Sequence, residues 1–180
     1  PEHGLSPITT WRAHKNEAEI AGFRRAMQHD GVALVRFRRE LDEKVADGSI
    51  NQETEWSIAE RLEEIRAKHP EYRGLSFATI AGYAGNGAIV HYEATAENHA
   101  QLADKSFLLL DSGAHYVSGT TDITRTIPLG VLSDEEKKAY TLVLKGMIQL
   151  SMAHFPAGTT GLALDFAARQ SMWREGYDFG

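Results

Sequence analysis

Two side chains in this sequence could carry hydrolytic chemistry. Asp111 closes the apolar run Phe107-Leu108-Leu109-Leu110. A carboxylate buried there without a partner is costly, so it calls for a cation or strong donors. Asp122 opens a second run, Ile123-Thr124-Arg125-Thr126-Ile127, beyond the glycine-bearing connection Val117-Ser118-Gly119. If the two runs pair as a hairpin, both carboxylates can project toward one point. Two hard oxygen donors at one point suit Mn²⁺, Mg²⁺ or Zn²⁺, and two such ions bridged by carboxylates could activate a water for hydrolysis. Spacing alone leaves the matter open. Aspartates beside turns serve equally as turn formers and caps, and Arg125 could pair with either one.

The segments that must position these aspartates read as strands. Residues 107–110 form a continuous apolar run, the pattern of a buried strand, and 122–128 are rich in β-branched residues. Upstream, 77–83 and 88–92 are short, apolar and joined by Gly85-Asn86-Gly87, a hairpin signal. The span 71–130 is therefore expected to be an antiparallel sheet. Helical patterns flank it. In the first 70 residues, Asn16 can cap a helix lined by Ile20, Phe23 and Met27, which Gly31 interrupts. Leu34, Phe37, Leu41 and Val45 form a second stripe, closed by Asp47-Gly48. A third helix over 54–68 presents Trp56, Ala59, Leu62 and Ile65 and is stopped by Pro70. These stripes read as core packing. After residue 130, Ser133-Asp134-Glu135-Glu136 is a capping box that starts a helix reaching towards His154, and a last helix covers 160–174. The fold class is α+β. No linker that would split the chain into two domains is visible, and there is no short-period repeat.

Composition narrows the chemistry. The 180 residues suit one domain or a large part of one. With 19 basic and 25 acidic residues, the formal net charge of −6 disfavours a generic nucleic-acid or anionic-membrane surface. There is no cysteine, so disulfides and thiolate metal sites are excluded and any metal must be held by carboxylate or imidazole. No apolar run approaches the roughly 18 residues of a membrane span. The opening Pro1-Glu2-His3-Gly4-Leu5 has no initiator Met and no leader features, and reads as the continuation of something longer. A cytoplasmic location fits the lack of cysteine, and a periplasmic one fits it as well.

The whole segment Asp111-Ser112-Gly113-Ala114-His115-Tyr116-Val117-Ser118-Gly119-Thr120-Thr121-Asp122-Ile123-Thr124-Arg125-Thr126 closely resembles the first metal-binding signature of the Xaa-Pro aminopeptidases. These form the aminopeptidase P group of the creatinase, or pita-bread, metallopeptidases. Lys15-Asn16-Glu17-Ala18-Glu19-Ile20 resembles the opening helix of that catalytic domain. Asn86-Gly87-Ala88-Ile89-Val90-His91-Tyr92 resembles the strand bearing its substrate-side histidine. Phe155-Pro156-Ala157-Gly158-Thr159 and Trp173-Arg174-Glu175-Gly176-Tyr177-Asp178 follow in family order. The resemblance implies a partial pita-bread fold, a curved antiparallel sheet with helices on the outside. It implies that Asp111 binds one metal, that Asp122 bridges two, and that His91 is a catalytic and substrate-binding residue that hydrogen-bonds the substrate or the tetrahedral intermediate. His115 lies inside the signature but is not used as a ligand in the family.

The activity implied by this resemblance is metal-dependent hydrolysis of the bond between an N-terminal residue and proline. By the resemblance, two divalent ions, Mn²⁺, would polarise the scissile carbonyl and hold a bridging hydroxide, and that hydroxide would attack the bond. Prolidase, methionine aminopeptidase and creatinase share the fold, and Gly119 to Thr126 favours aminopeptidase P among them. The alternative from another class is a non-catalytic relative that binds peptides or proteins. Related enzymes are often dimers, so the resemblance admits a homodimer, but the sequence does not fix the oligomeric state; nucleic-acid and membrane partners are not expected. The family's site takes five ligands: two Asp, one His and two Glu. Its histidine motif directly follows a segment like Gly176-Tyr177-Asp178-Phe179-Gly180, so the histidine, both glutamates and the general base are expected beyond Gly180. Residues 1–180 are then the N-terminal portion of a catalytic domain, inactive without its C-terminal half.

Overall fold

The computed structural model describes residue 4 and residues 6–179. Its contacts fall into two compact units, Pro1–Val131 and Leu132–Gly180. The first unit begins with three helices, α1 (Pro7–Ala13), α2 (Glu17–Asp47) and α3 (Glu55–Ala67). Local chemistry sets their ends. Asn16 and Glu19 close a capping box over the start of α2, each hydrogen bond 2.9 Å. Gly48 ends the helix in the left-handed conformation at φ 79°, which costs a glycine little. Thr54 and Ser57 form the same reciprocal cap on α3.

Gly31 does not interrupt α2, which runs unbroken for 31 residues. One helical glycine costs only about 1 kcal/mol relative to alanine, and the buried face of a helix this long outweighs it. The inward face also differs from the expected one. Ile20, Phe23 and Met27 are 42, 38 and 45% exposed, while Gly22, Ala26, Asp30, Ala33, Phe37 and Leu41 are buried. The reason is a close approach: a Cβ on Gly22 would collide with the Ser118 carbonyl. The start of α2 must therefore turn its small residues inward, and the larger ones face out. On α3 the buried line is Glu55, Ile58, Leu62, Ile65 and Arg66, with Trp56 and Ala59 only partly buried beside it.

Six strands follow: β1 (Tyr72–Leu75), β2 (Ile80–Tyr83), β3 (Phe107–Ser112), β4 (Ala114–Tyr116), β5 (Gly119–Thr120) and β6 (Ile123–Pro128). They form two antiparallel sheets, ordered β2-β3-β6 and β1-β4-β5. Phe37 and Leu41 of α2 and Ile58, Leu62 and Ile65 of α3 pack with Ala81, Leu108, Leu110 and Ile127 into the main core. Each fully buried aliphatic side chain here contributes about 1.5–3 kcal/mol.

The strand expected over 88–92 is not formed. Ala84–Ala88 is a short 3-10 helix, and the Tyr92 N–H then closes a turn onto the Ile89 carbonyl at 3.1 Å. Gly82 and Gly87 lie so close that a Cβ on Gly82 would sit 2.9 Å from the Gly87 Cα. The glycines thus fold the chain back over β2, where a hairpin would have continued it outward.

The second unit is a pair of helices, α4 (Asp134–Ser151) and α5 (Gly161–Trp173). Ser133 and Glu136 make the expected capping box. Gly146 of α4 approaches the Ala168 carbonyl of α5 so closely that a Cβ has no room.

The first unit is also fastened by a buried ion pair. Arg66 Nε and Nη2 meet Asp30 Oδ1 and Oδ2 at 2.6 and 3.0 Å, and both side chains are 0% exposed. Removing one member strands the other's charge in the interior, which costs about 3–5 kcal/mol. Arg66→Met is therefore expected to lower the unfolding free energy of the chain by about 3–5 kcal/mol in urea titration. A loss under about 1 kcal/mol, the scale of a surface pair, would contradict this role.

Candidate metal centre

Strands β3–β4 and β5–β6 run as one long hairpin. Its register is constant from Phe107↔Pro128 through Ser112↔Ile123 and His115↔Thr120 to Tyr116↔Gly119. Asp111 therefore pairs with Thr124, and the register sets Gly113 opposite Asp122. Alternation places Asp111, Gly113, Asp122 and Thr124 on one face, while Leu108, Leu110 and Ser112 are buried on the other. The two aspartates are diagonal cross-strand neighbours, about 7–8 Å apart in such ladders and within mutual reach of their side chains. The position between them on that face is a glycine.

The ladder is distorted at this point. The Thr121 N–H bonds the Ala114 carbonyl at 2.9 Å, as a regular pair requires. The return bond is different: the Ala114 N–H goes to Thr121 Oγ1 at 3.0 Å. The Thr121 carbonyl accepts instead from Ser76 Oγ at 2.9 Å. A Cβ on Gly113 would collide with both the Thr121 carbonyl and Ser76 Oγ. Glycine at 113 is thus a steric requirement of the distortion beside Asp122.

Asp111 Oδ1 is buried and has no hydrogen-bond partner among the described residues. A carboxylate oxygen in that state carries an uncompensated desolvation cost. A divalent cation relieves it directly, because hard oxygen donors are what Mg²⁺, Mn²⁺ and Zn²⁺ accept. Asp122 is exposed, on the same face. The pair fits a metal, but two carboxylates fill only part of an ion's coordination. Among the described residues, no group of three or more His, Cys, Asp or Glu is placed to hold one.

His91 is accordingly not gathered into a ligand group with the aspartates. It is exposed at the corner of the Ile89–Tyr92 turn, with φ +56°. A left-handed backbone is uncommon for a residue with a side chain, although histidine adopts it more readily than most. Such a conformation persists only when its surroundings enforce it. The enforcement comes from Glu55, which is 0% exposed. Its carboxylate accepts from the Tyr92 hydroxyl at 2.7 Å, the Ala100 N–H at 2.7 Å, the Tyr83 N–H at 2.6 Å and the Asn86 amide at 3.0 Å. Both ends of the segment bearing His91 are tied to this one side chain. Burial pushes the Glu55 carboxyl upward, but the donors from Tyr92, Ala100, Tyr83 and Asn86 outweigh it and hold the group below the usual glutamate value. Burial, and then the contact with Glu55, push the Tyr92 hydroxyl up to about 12, so it stays a donor. His115 is exposed, with Nδ1 2.9 Å from Thr120 Oγ1.

Sequence reading missed Asp30, Glu55 and Arg66, the charged residues behind the site. The signal was present: each occupies a buried-stripe position on its helix, Asp30 between Ala26 and Ala33, Glu55 before Ile58, and Arg66 after Leu62. A charge at such a position is almost never buried without a partner.

Asp111 and Asp122 on one face of an antiparallel hairpin, with helices packed against the sheet, form a pair of hard oxygen donors suited to a divalent cation. Residues 21–180 match metallopeptidase family M24, and the chain belongs to that family. It is 48% identical over 178 residues to "Probable Xaa-Pro aminopeptidase P" of Metarhizium robertsii, a match covering 99% of this chain and 29% of that protein. The protein of the same description in Ajellomyces capsulatus strain NAm1 / WU24 is 46% identical over 181 residues, again 99% of this chain and 29% of the relative. Among solved structures, X-prolyl aminopeptidase from Caenorhabditis elegans, described as a cytosolic enzyme with a di-nuclear active site, superposes with TM-score 0.86 at 36% identity, covering 97% of this chain and 28% of that one. X-Pro aminopeptidase from Thermotoga maritima superposes with TM-score 0.77 at 29% identity, covering 94% and 45%. The fold is thus α+β, part of the pita-bread architecture of these enzymes. The chain spans less than a third of the length of the curated relatives. Among the described residues, no helix is long and apolar enough to cross a membrane.

Glu55 gives the site a pH dependence. Its folded-state value lies below its unfolded one, so its contribution to stability is complete above about pH 4.3. It is lost as pH falls from there through the lowered folded value. Thermal unfolding followed between pH 3 and 7 is expected to show a shallower acid limb for Glu55→Gln than for the parent chain. Parallel acid limbs would exclude Glu55 as a contributor.

Proposed function

We propose that this chain belongs to a metal-dependent aminopeptidase that hydrolyses the bond between an N-terminal residue and a following proline. The observation that carries the reading is the buried, unpaired Oδ1 of Asp111 on the strand face it shares with Asp122. The substrate class is supported by the relatives described as Xaa-Pro aminopeptidases that align over 97–99% of the chain.

Asp111 would hold one of two divalent ions and Asp122 would bridge both, with Mn²⁺ as the metal. When bound, the ions would polarise the scissile carbonyl and activate a water. The chain's own residues hold and orient. The aspartates would hold the ions against the sheet, and Gly113, opposite Asp122, leaves room for the Thr121 carbonyl and Ser76 Oγ beside them. His91, at the exposed corner of its turn, would donate to the peptide or to the oxyanion that develops during attack. The remaining ligands would come from outside the described residues. We assign residues 1–180 to the N-terminal portion of the catalytic domain, consistent with the 29% span of the curated relatives. The Caenorhabditis elegans relative described as cytosolic supports a cytoplasmic location for the whole protein.

In the full-length protein, Asp122→Asn is expected to abolish Mn²⁺-dependent cleavage of a Xaa-Pro peptide while circular dichroism shows the fold intact. Near-normal turnover would rule out a bridging role. His91→Ala is expected to lower kcat by about 10²–10³-fold, the scale of losing one oxyanion donor. An unchanged kcat with a raised KM would instead make His91 a residue of ground-state binding.

A further inference from the structure

We infer that Thr121 and Ser112 are positioning residues, held by the buried Asp30–Arg66 pair, that fix Asp122 and Asp111 for divalent cations. This rests on the reading of Asp111 and Asp122 as metal ligands. The geometry is specific. Thr121 precedes Asp122, and its hydroxyl donates to Asp30 Oδ2 at 2.7 Å. Ser112 follows Asp111, and its Oγ accepts from Arg66 Nη2 at 3.1 Å. Each member of one ion pair therefore holds the neighbour of one aspartate. The Tyr116 hydroxyl, also buried, gives Asp30 Oδ1 a further bond at 3.2 Å. Burial and the Asp30 charge push that phenol upward, so it remains a donor.

Thr121 is the pivot. Its hydroxyl accepts the Ala114 N–H that a strand carbonyl would normally take, and so releases its own carbonyl to Ser76. That exchange skews the backbone one residue before Asp122. Because the hydroxyl's own proton goes to Asp30, the skew is set by a group that is 0% exposed and clamped by Arg66 on two atoms. On the other strand, Ser112 and Asp111 point to opposite faces, so anchoring Ser112 from below fixes the height of Asp111 above the sheet. Partners of this kind, one bond removed from the ligands, typically govern metal affinity by about 10–100-fold.

The test is Mn²⁺ titration calorimetry on the metal-stripped full-length protein, with urea unfolding of each metal-free variant alongside. Asp122→Asn is the control for the ligand reading: it must remove Mn²⁺ binding, and if it does not, that reading fails and takes this inference with it. With the control met, Thr121→Val is expected to raise the Mn²⁺ Kd by about 10–100-fold at a temperature where the variant is fully folded. Thr121→Ser, which restores the hydroxyl, is expected to bring the Kd back to the parent value. If Thr121→Val loses stability but binds Mn²⁺ as the parent does, the network is only structural and the inference is overturned. Should Thr121→Val not fold, Ser112→Ala reports on the other arm. A Kd about 10-fold weaker supports the inference, and an unchanged Kd overturns it.

Discussion

Asp30 on α2 and Arg66 on α3 meet with both side chains out of water, and four elements of the first unit converge on that contact. Besides each other, the two groups bind Ser112 at the end of β3, Tyr116 on β4 and Thr121 between β5 and β6. A buried pair of this kind is weak evidence for stability, since apolar residues of similar volume often do as well. Its consequence is directional. Charge-assisted hydrogen bonds fix where a backbone sits more sharply than apolar contacts do. The two helices therefore press on the sheet and also set the backbone on which the candidate ligands ride.

The hairpin answers with an irregularity beside Asp122. A hairpin in constant register would give Ala114 and Thr121 an ordinary pair of backbone bonds, yet the Thr121 side chain takes one of them and its carbonyl turns to Ser76. Gly113 is the residue this distortion demands, because any side chain there meets the diverted carbonyl. Glu55 does comparable work for a different segment. Four donors converge on one carboxylate, and the left-handed turn at His91 hangs from them. Two buried acids, Asp30 and Glu55, thus anchor the two segments that the proposed chemistry requires.

Some of this is legible in the sequence alone. The caps at Asn16 and Ser133 are local chemistry, decided by side chains three residues apart, and they fell where short-range rules put them. The strands at 107–112 and 123–128 followed from apolar and β-branched runs. Other elements were not legible, for one recurring reason. Gly31 reads as a break, but long-range packing of α2 outweighs a local penalty near 1 kcal/mol. Gly85-Asn86-Gly87 reads as a hairpin turn, but the Asn86 amide is engaged by Glu55, a residue far away in sequence. Ile20, Phe23 and Met27 read as core, yet the approach of the Ser118 carbonyl to Gly22 turns them outward.

The sequence by itself determined the family, through the unbroken motif from Asp111 to Thr126, and it named the two carboxylates as candidate ligands. It could not say whether they faced the same way, because that depends on register, and register is a property of two paired strands. Only the tertiary structure decided that Asp111 and Asp122 share a face across Gly113. It alone revealed the unpaired oxygen of Asp111 and the buried charges of Asp30, Glu55 and Arg66. Those charges act across stretches of chain too long for any local pattern to register. Their partners become neighbours only when helix and sheet close on one another.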